Sequence, residues 1–278
     1  MQVWIGTSGY SYSDWVGSFY PSGTRPGRML AHYCETFPLV ELNFTFYRPP
    51  TGGQLARLAD QTPPGFQFLV KLHQSLSHER DTQELAGFRV AVEDLRRRNQ
   101  LLGLLCQLPQ SFHENGENRD WLTLLARAFA GCPLAVEFRH SSWFREDVPA
   151  WLGEQGLDLV SVDVPDLPQL YPRGLVPSGS RVYVRFHSRN GRNWYAPDKD
   201  RYDYKYNDAE MTEWVEALQR ASPQTERALL LFNNCHRSHA AENARRMQEL
   251  LPRLAPTLTL VGPLAKPGPG TRQGAFFT

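Results

Sequence analysis

The chain has 278 residues, 41% of them hydrophobic, and a formal net charge of +1. That length and apolar fraction suit a single large domain with a sizeable core, and the near-zero charge gives the chain as a whole no electrostatic footprint for nucleic acid or an anionic membrane. The cysteines are scattered, no signal-peptide pattern is present, and no apolar run approaches the ~20 residues that span a bilayer. These features predict a soluble, cytoplasmic protein that binds no membrane.

Eight short apolar runs follow one another along the chain, and each ends in polar or charged residues. Short runs rich in Val, Leu and Phe are typical of strands buried on both faces, as in a parallel sheet. Eight such strands, mostly separated by helical patterns, predict a single (β/α)8 TIM-like barrel over residues 1–262, followed by a Pro/Gly-rich tail over residues 263–278. The runs are residues 3–8, 39–43, 66–71, 103–107, 134–139, 157–163, 182–187 and 228–234.

Between most of these runs, apolar residues recur at helical spacing, which predicts a helix in each gap. Asp120 and Asp208 are expected to be helix N-caps. One connection differs, because residues 164–180 are too rich in Pro and Gly for a regular helix, so the sixth crossover should be irregular. The predicted helices are residues 28–37, 54–59, 84–99, 120–130, 148–155, 209–221 and 240–251.

Polar side chains at the carboxyl ends of the strands predict a site at that end of the barrel, where this fold carries its chemistry. Residues two apart on a strand share a face, so Glu41 and Asn43 point the same way, as do Arg185 and His187. The alternative is an internal salt-bridge lattice that only closes the barrel. Ten polar groups at one rim exceed what closure requires, and a site is favoured. The ten are Glu41, Asn43, Lys71, Gln107, Glu137, Arg139, Asp163, Arg185, His187 and Asn233.

Several motifs together resemble those of the YecE-like family, also known as domain of unknown function 72. The resemblance implies a single TIM-like barrel and leaves the activity open. Ser188 departs from it, because the family often has Gly after the histidine of strand seven. Tyr10, in the first motif, joins the candidate binding residues. The motifs are GTSGYSY at residues 6–12, VELNFTFY at 40–47, QLP at 107–109, VEFRH at 136–140, YVRFH at 183–187 and FNN at 232–234.

Three kinds of chemistry fit this set of residues. Carboxylates and a histidine could ligate Zn²⁺ or Mn²⁺, but three cations in the same pocket would repel a divalent ion, so we expect no metal and no other cofactor. A glycosidase of the common barrel type would need carboxylates on strands four and seven, which end instead in Gln107 and in Arg185 and His187. Proton transfer and anion binding fit better.

The loop over residues 188–207 interleaves cationic and aromatic side chains, a pattern that suits stacking on bases or sugars. Its three aspartates cancel much of the positive charge. A self-packed lid over the barrel mouth is therefore favoured over a nucleic-acid clamp, and nucleic acid stays open as a partner.

The leading interpretation is an enzyme of hydrolase, lyase or isomerase type that works by acid–base chemistry on a small anionic or phosphorylated polar substrate. Two alternatives stay open: a metal-dependent phosphodiester hydrolase, and a barrel that binds nucleic acid or another ligand without turnover. The predicted catalytic residues are Glu41, Glu137, Asp163 and His187. The predicted substrate-binding residues are Tyr10, Asn43, Lys71, Gln107, Arg139, Arg185 and Asn233.

Overall fold

Eight parallel strands close into a barrel in the computed structural model, which describes residues 1–196 and 198–264. Each strand pairs with its neighbour in sequence, and the eighth pairs with the first, which confirms the predicted (β/α)8 fold. All eight predicted runs form strands. They are β1 (Gln2–Ser8), β2 (Leu39–Leu42), β3 (Gln67–Lys71), β4 (Leu101–Gln107), β5 (Leu134–Glu137), β6 (Leu157–Asp163), β7 (Arg181–Phe186) and β8 (Arg227–Phe232).

Helices occupy the connections as the periodicity predicted, and two additional α-helices are single turns. The sixth connection, residues 164–180, contains no helix, so its predicted irregularity is confirmed. The helices are α1 (Pro26–Tyr33), α2 (Phe44–Tyr47), α3 (Gly52–Asp60), α4 (Glu84–Arg97), α5 (Gly116–Ala128), α6 (Asp147–Glu154), α7 (Asp198–Arg201), α8 (Asp208–Ala221) and α9 (His239–Leu254). A π-helix spans Ser75–Glu79 between β3 and α4.

The predicted N-caps are wrong. Asn115 caps α5 by accepting a hydrogen bond from the Asn118 backbone, and Asp120 lies inside that helix. Asn207 caps α8, so Asp208 is the first helical residue. Apolar periodicity locates the body of a helix but says little about its polar first turn, which is why both starts were placed too late.

Apolar stripes of the helices pack on the outside of the barrel. On α4, for example, Phe88, Val92 and Leu95 are buried. Each such side chain contributes roughly 1.5–3 kcal/mol when it is fully buried. Within the described residues, no helix is both long and apolar enough to cross a membrane. The predicted tail lies outside the described residues from residue 265 onward.

The seam between β1 and β2 depends on a tyrosine. These strands pair directly only at Thr7 with Val40 and at Ser8 with Glu41. Next to that pairing, the Tyr33 hydroxyl accepts a hydrogen bond from Thr7 N (2.9 Å) and donates one to Leu39 O (3.0 Å). It thereby replaces a direct backbone hydrogen bond between the strands.

Two further features concern β1. A Cβ atom at Gly6 would lie 2.4 Å from Leu39 O, so only glycine allows the close approach of β1 to β2. At the opposite end of the barrel, a two-residue strand, β9 (Thr259–Leu260), pairs with β1 at Gln2 and Val3. The seam itself is held by one short ladder and one buried hydroxyl.

Replacing Tyr33 with phenylalanine should lower the free energy of unfolding by about 1–3 kcal/mol, because the buried Thr7 N–H and Leu39 carbonyl lose their shared partner. Urea unfolding at pH 7 measures this loss. The matched control is Tyr195→Phe at an exposed position (68% exposed), which should change the free energy by less than about 0.5 kcal/mol. Equal effects of the two substitutions would contradict the role given to the Tyr33 hydroxyl.

Candidate functional site

A cavity of about 590 Å³ opens at the carboxyl end of the barrel. Its wall includes the last residues of β3 and β4 and residues that follow β2, β5 and β8. The side chains predicted to bind substrate meet there, with one exception discussed below. They are Asn43, Lys71, Gln107, Arg139, Arg185 and Asn233.

A buried ionic cluster lies beneath this cavity, and we call Glu41, Glu137, Tyr183 and Arg185 the floor cluster. Arg185 Nε and Nη2 donate to the two oxygens of Glu41 at 2.9 and 2.7 Å, and Nη1 donates to Glu137 Oε2 at 2.5 Å. The Tyr183 hydroxyl donates to Glu41. Both carboxylates are fully buried and Arg185 is 1% exposed. Most of the guanidinium donors of Arg185 are therefore already used, and its role in binding substrate stays a prediction.

The floor cluster keeps its charges. Burial by itself raises the pKa of Glu137, but Arg185 and Arg139 hold that pKa well below its usual range. Burial lowers the pKa of Arg185, and the two carboxylates outweigh that effect and raise it well above its usual value. Glu137 is consequently ionised at neutral pH, where it is an acceptor of hydrogen bonds and cannot donate a proton.

His187 stands beside the floor cluster as a neutral ring. Its Nδ1 accepts a hydrogen bond from the Asn233 amide nitrogen at 2.9 Å, which assigns the ring proton to Nε2. Nε2 lies 3.2 Å from Glu137 Oε1. Burial lowers the pKa of His187 to about 3, although Glu137 opposes that shift. The ring is thus a fixed hydrogen-bond donor at neutral pH.

Four buried polar atoms at the base of the cavity have no well-aligned hydrogen-bond partner among the described residues: Asn43 Oδ1, Glu137 Oε1, Arg139 Nε and His187 Nε2. Arg139 Nε is only 2.9 Å from Glu137 Oε1, but the contact is misaligned. Buried polar atoms without partners are costly and rare in folded proteins. Their concentration at one cavity is typical of a binding site.

Lys71 is the most unusual titratable group of the cavity wall. Its Nζ donates to Gln107 Oε1 at 2.9 Å and lies 4.1 Å from the centre of the Phe46 ring. Within the described residues it forms no ion pair. Burial and the nearby Arg185 and Arg139 lower the pKa of Lys71 to about 7, against the opposing effect of the carboxylates of the floor cluster. About half of the amine is therefore neutral at pH 7.

The choice of lysine at this position is itself informative. The chain contains only four lysines and 26 arginines, so most of its cationic side chains are arginines. An arginine cannot give up its proton at neutral pH, whereas a buried lysine can. This contrast in the sequence could have distinguished Lys71 from the other cations before the structure was known.

The loop after β7 borders the cavity with its described residues, 188–196 and 198–207, and we call these residues the lid. Trp194, Tyr195, Arg201 and Tyr202 line the cavity. Trp194 is 3% exposed, and its carbonyl accepts a hydrogen bond from Arg201 Nε at 2.5 Å. The rings of Trp194 and Tyr202 lie 6.4 and 6.2 Å from the ring of His187. This packing is that of the predicted lid, and nucleic-acid binding by the loop stays a prediction.

Glu41, Glu137 and His187 lie below the cavity, and two other predicted site residues lie apart from both the cavity and the floor cluster. Asp163 lies on the opposite face of its strand, where it accepts hydrogen bonds from Trp214 Nε1 (2.5 Å) and from Arg189 Nη2 (2.8 Å). The period of two along β6 correctly joins Asp163 to Ser161, but it cannot tell which face is inward. Tyr10 packs against Tyr33 instead of lining the cavity.

Among the cavity residues that the sequence reasoning missed are Tyr12, Phe46 and His78. Each lies a few residues beyond the end of a strand, where the path of the chain is hard to predict. His78 belongs to the π-helix Ser75–Glu79, a rare element that often occurs at functional sites. Burial and Lys71 lower the pKa of His78 to about 4, so this ring is neutral as well.

The donor set for a metal ion is incomplete. Among the described residues, no group of three His, Cys, Asp or Glu side chains is arranged to hold one. Glu41 and Glu137 both face Arg185, and Asp163 lies elsewhere.

Comparisons with known proteins agree with the fold. A family model described as "Protein of unknown function DUF72" matches residues 4–267. The chain is 32% identical over 274 residues to the UPF0759 protein YunF of Bacillus subtilis, a match that covers 90% of this chain and 94% of that protein. A crystal structure of a DUF72 family protein from Thermotoga maritima is similar with 35% identity and a TM-score of 0.84, covering 90% of this chain and 99% of that one. A DUF72 family protein from Enterococcus faecalis is similar with 26% identity and a TM-score of 0.81, covering 95% and 99%.

Replacing Arg185 with methionine should cost about 3–5 kcal/mol of stability at pH 7, because two buried carboxylates lose their partner. The cost should shrink as the pH falls below about 4.5. There the wild type loses the stability that comes from the low pKa of Glu137, a contribution that Arg185→Met has already removed. Urea unfolding at pH 7 and pH 4 measures both values. The control is Arg192→Met at an exposed position. A cost that grows at pH 4 would contradict the ionised floor cluster.

The Lys71 amine should titrate near pH 7. In protein labelled with ¹³C at the lysine ε-carbon, one of the four lysine resonances should shift with a midpoint close to pH 7, and that resonance should vanish in Lys71→Arg. The control is Lys205→Arg at an exposed lysine outside the cavity, which should leave that resonance and its midpoint unchanged. A Lys71 midpoint above pH 9 would contradict the desolvated environment.

Proposed function

The chain belongs to the DUF72 family of proteins of unknown function, and we propose that it is an enzyme. We propose further that it uses acid–base chemistry on a small anionic polar substrate. The observation that carries the proposal is Lys71, an amine in the cavity wall with a pKa of about 7 and no carboxylate partner among the described residues. Perturbed titratable groups that line a cavity are typical of catalytic sites.

The charge of the cavity favours an anionic substrate. Lys71, Arg139 and Arg201 line it, and the lining includes one carboxylate, that of Asp14. The carboxylates of the floor cluster lie below and face Arg185. Arg139 is the cation best suited to contact a phosphate or carboxylate, because it is 11% exposed and its one close carboxylate contact is misaligned.

The remaining lining favours a substrate with hydroxyl groups and a ring or other flat face. Asn43, Gln107 and Asn233 supply amide groups for hydrogen bonding. Aromatic side chains, among them Trp194 and Tyr202 of the lid, supply stacking surfaces. A sugar phosphate or a nucleotide combines these features, and the cavity volume of about 590 Å³ is within the usual range for such ligands.

The roles of the residues follow from their protonation. Lys71 takes or gives a proton near neutral pH, because both of its forms are populated there. Glu137 stays ionised, and neutral His187 directs its Nε2–H towards Glu137, so we assign these two residues to holding the polar base of the site. Glu41 holds Arg185 in the same way. Asp163 has no part in this assignment.

The lid completes the proposed site. Its buried Trp194 and the adjacent Tyr202 separate His187 from bulk water. Excluding water strengthens the electrostatic interactions between a bound anion and the cations of the wall. Substrate entry then requires that the lid, or part of it, opens during turnover.

A thermal-unfolding screen tests the proposed substrate class. At 100 times its dissociation constant, a bound anion should stabilise the protein by ~2.7 kcal/mol, a rise in Tm of about 5 °C or more. The panel contains sugar phosphates, nucleoside monophosphates and small carboxylates, each beside its uncharged counterpart. We expect at least one anion to raise Tm and its counterpart to have no effect.

Arg139→Gln should abolish that shift, because it removes the cation assigned to the anion. The matched control is Arg192→Gln, an exposed residue of the lid that does not line the cavity. A panel that leaves wild-type Tm unchanged, or an undiminished shift in Arg139→Gln, would refute the proposed anionic substrate.

A further inference from the structure

We propose that Lys71 is a covalent catalytic residue, whose amine forms an imine with the carbonyl carbon of an aldehyde or ketone that also carries an anionic group. This inference rests on the proposed function and deepens it, because it names the substrate class and the bond that forms. Four features of the site support it: the isolation of the amine, its hydrogen bond to Gln107, the neighbouring cations and the position of the lid.

The Lys71 amine is free of ion pairing in the described part of the chain. Its one hydrogen bond is to the neutral Gln107 amide, at 2.9 Å. Lys205 behaves as surface lysines ordinarily do, with its Nζ 2.6 Å from Glu242 Oε2. A lysine beside a carboxylate remains protonated, and a protonated amine has no electron pair to attack a carbonyl carbon. The Lys71 amine has the opposite environment, because its neighbours are cations and an amide and not a paired carboxylate.

The charged groups around Lys71 come from several strands. Arg185 on β7 and Arg139 after β5 disfavour the ammonium form, while Glu137 and Glu41 favour it. His78, on the π-helix after β3, is neutral and adds no charge. Because the carboxylates are already bound to Arg185, desolvation prevails and the pKa of Lys71 falls to about 7.

The covalent step balances without an oxidant or reductant. The neutral Nζ attacks the carbonyl carbon, a C–N bond forms, and one proton passes from the nitrogen to the carbonyl oxygen to give a carbinolamine. The C–O bond then breaks, and the oxygen leaves as water with a second proton. In total, one amine, one carbonyl and one proton give one protonated imine and one water molecule. The positive charge on the imine nitrogen draws electrons from the neighbouring carbon, which acidifies its C–H bond.

The contacts of Lys71 suit the product as well as the free amine. A protonated imine keeps one N–H, which can donate to Gln107 Oε1 as the amine does now. The Phe46 ring, 4.1 Å from Nζ, attracts a cationic nitrogen. Arg139 lines the same cavity and is available for the anionic group of the ligand. The lid limits access of bulk water, which would hydrolyse the imine.

Reductive trapping tests the imine directly. Wild-type protein is incubated at pH 7 with glyoxylate, a minimal anionic aldehyde, and sodium cyanoborohydride, which reduces an imine to a stable secondary amine. Intact mass and peptide mapping then locate the adduct among the four lysines. At pH 7 an amine with a pKa of about 7 has about 1,000 times more neutral form than one with a pKa of about 10.4. We expect at least tenfold more adduct on Lys71 than on Lys205.

Three variants and one neutral probe complete the experiment. Lys205→Arg should leave the Lys71 adduct unchanged, and Lys71→Arg should eliminate it. Acetaldehyde, which lacks the carboxylate, should label Lys71 at least tenfold more slowly than glyoxylate does. Arg139→Gln should remove that preference. Because the wild-type peptide map identifies the labelled lysine, the result holds even if a variant folds poorly.

Each outcome decides between the two proposals. Labelling spread evenly over the lysines, or no adduct on Lys71, overturns the imine. If the thermal-unfolding screen still shows anion binding that depends on Arg139, the proposed function stands without the covalent step, and Lys71 acts only as a proton carrier. A Lys71 adduct without a preference for the anionic probe overturns the anionic part of the substrate class.

Discussion

The bidentate pairing of Arg185 with Glu41, together with its contact to Glu137, is the interaction on which the carboxyl end of this barrel depends. It joins β2, β5 and β7 across the interior, where the two carboxylates and the guanidinium are removed from water. A buried charge without a partner is far costlier than the paired arrangement gains, so the loss of Arg185 alone would be strongly destabilising. The cluster therefore fixes the geometry of the cavity floor and offsets part of its negative charge.

This partial compensation affects the titratable groups above the floor. Had the carboxylates been unpaired, they would have held Lys71 as an ammonium and repelled an anion. Because Arg185 offsets part of their negative charge, burial prevails at Lys71, and the positive charge of Arg139 is left facing the cavity. His187 also stays neutral, because burial lowers its pKa more than the neighbouring Glu137 raises it. One buried ion cluster thus sets the chemistry of a lysine, an arginine and a histidine.

The lid and the seam show how the fold holds such a site in place. Trp194 and Tyr202 of the lid line the cavity, and Trp194 is buried. At the β1–β2 seam, the Tyr33 hydroxyl replaces a backbone hydrogen bond next to the residue pair Ser8 and Glu41. The position of Glu41, and hence of Arg185, is linked to the packing of α1 through that hydroxyl.

The sequence by itself determined the strands, the barrel, the irregular sixth crossover and six of the cavity-lining side chains. Those features follow from local periodicity and from the rule that parallel strands present their carboxyl ends on one side. Only the tertiary structure decided which face of β6 turns inward. As a result, Asp163 accepts a hydrogen bond from Trp214 and does not line the cavity. It also decided that Arg185 pairs with Glu41 and Glu137, and that Lys71 hydrogen-bonds to an amide and forms no ion pair with a described carboxylate. The physical reason is that pairing and desolvation depend on distances between residues more than 30 positions apart, which no local pattern records.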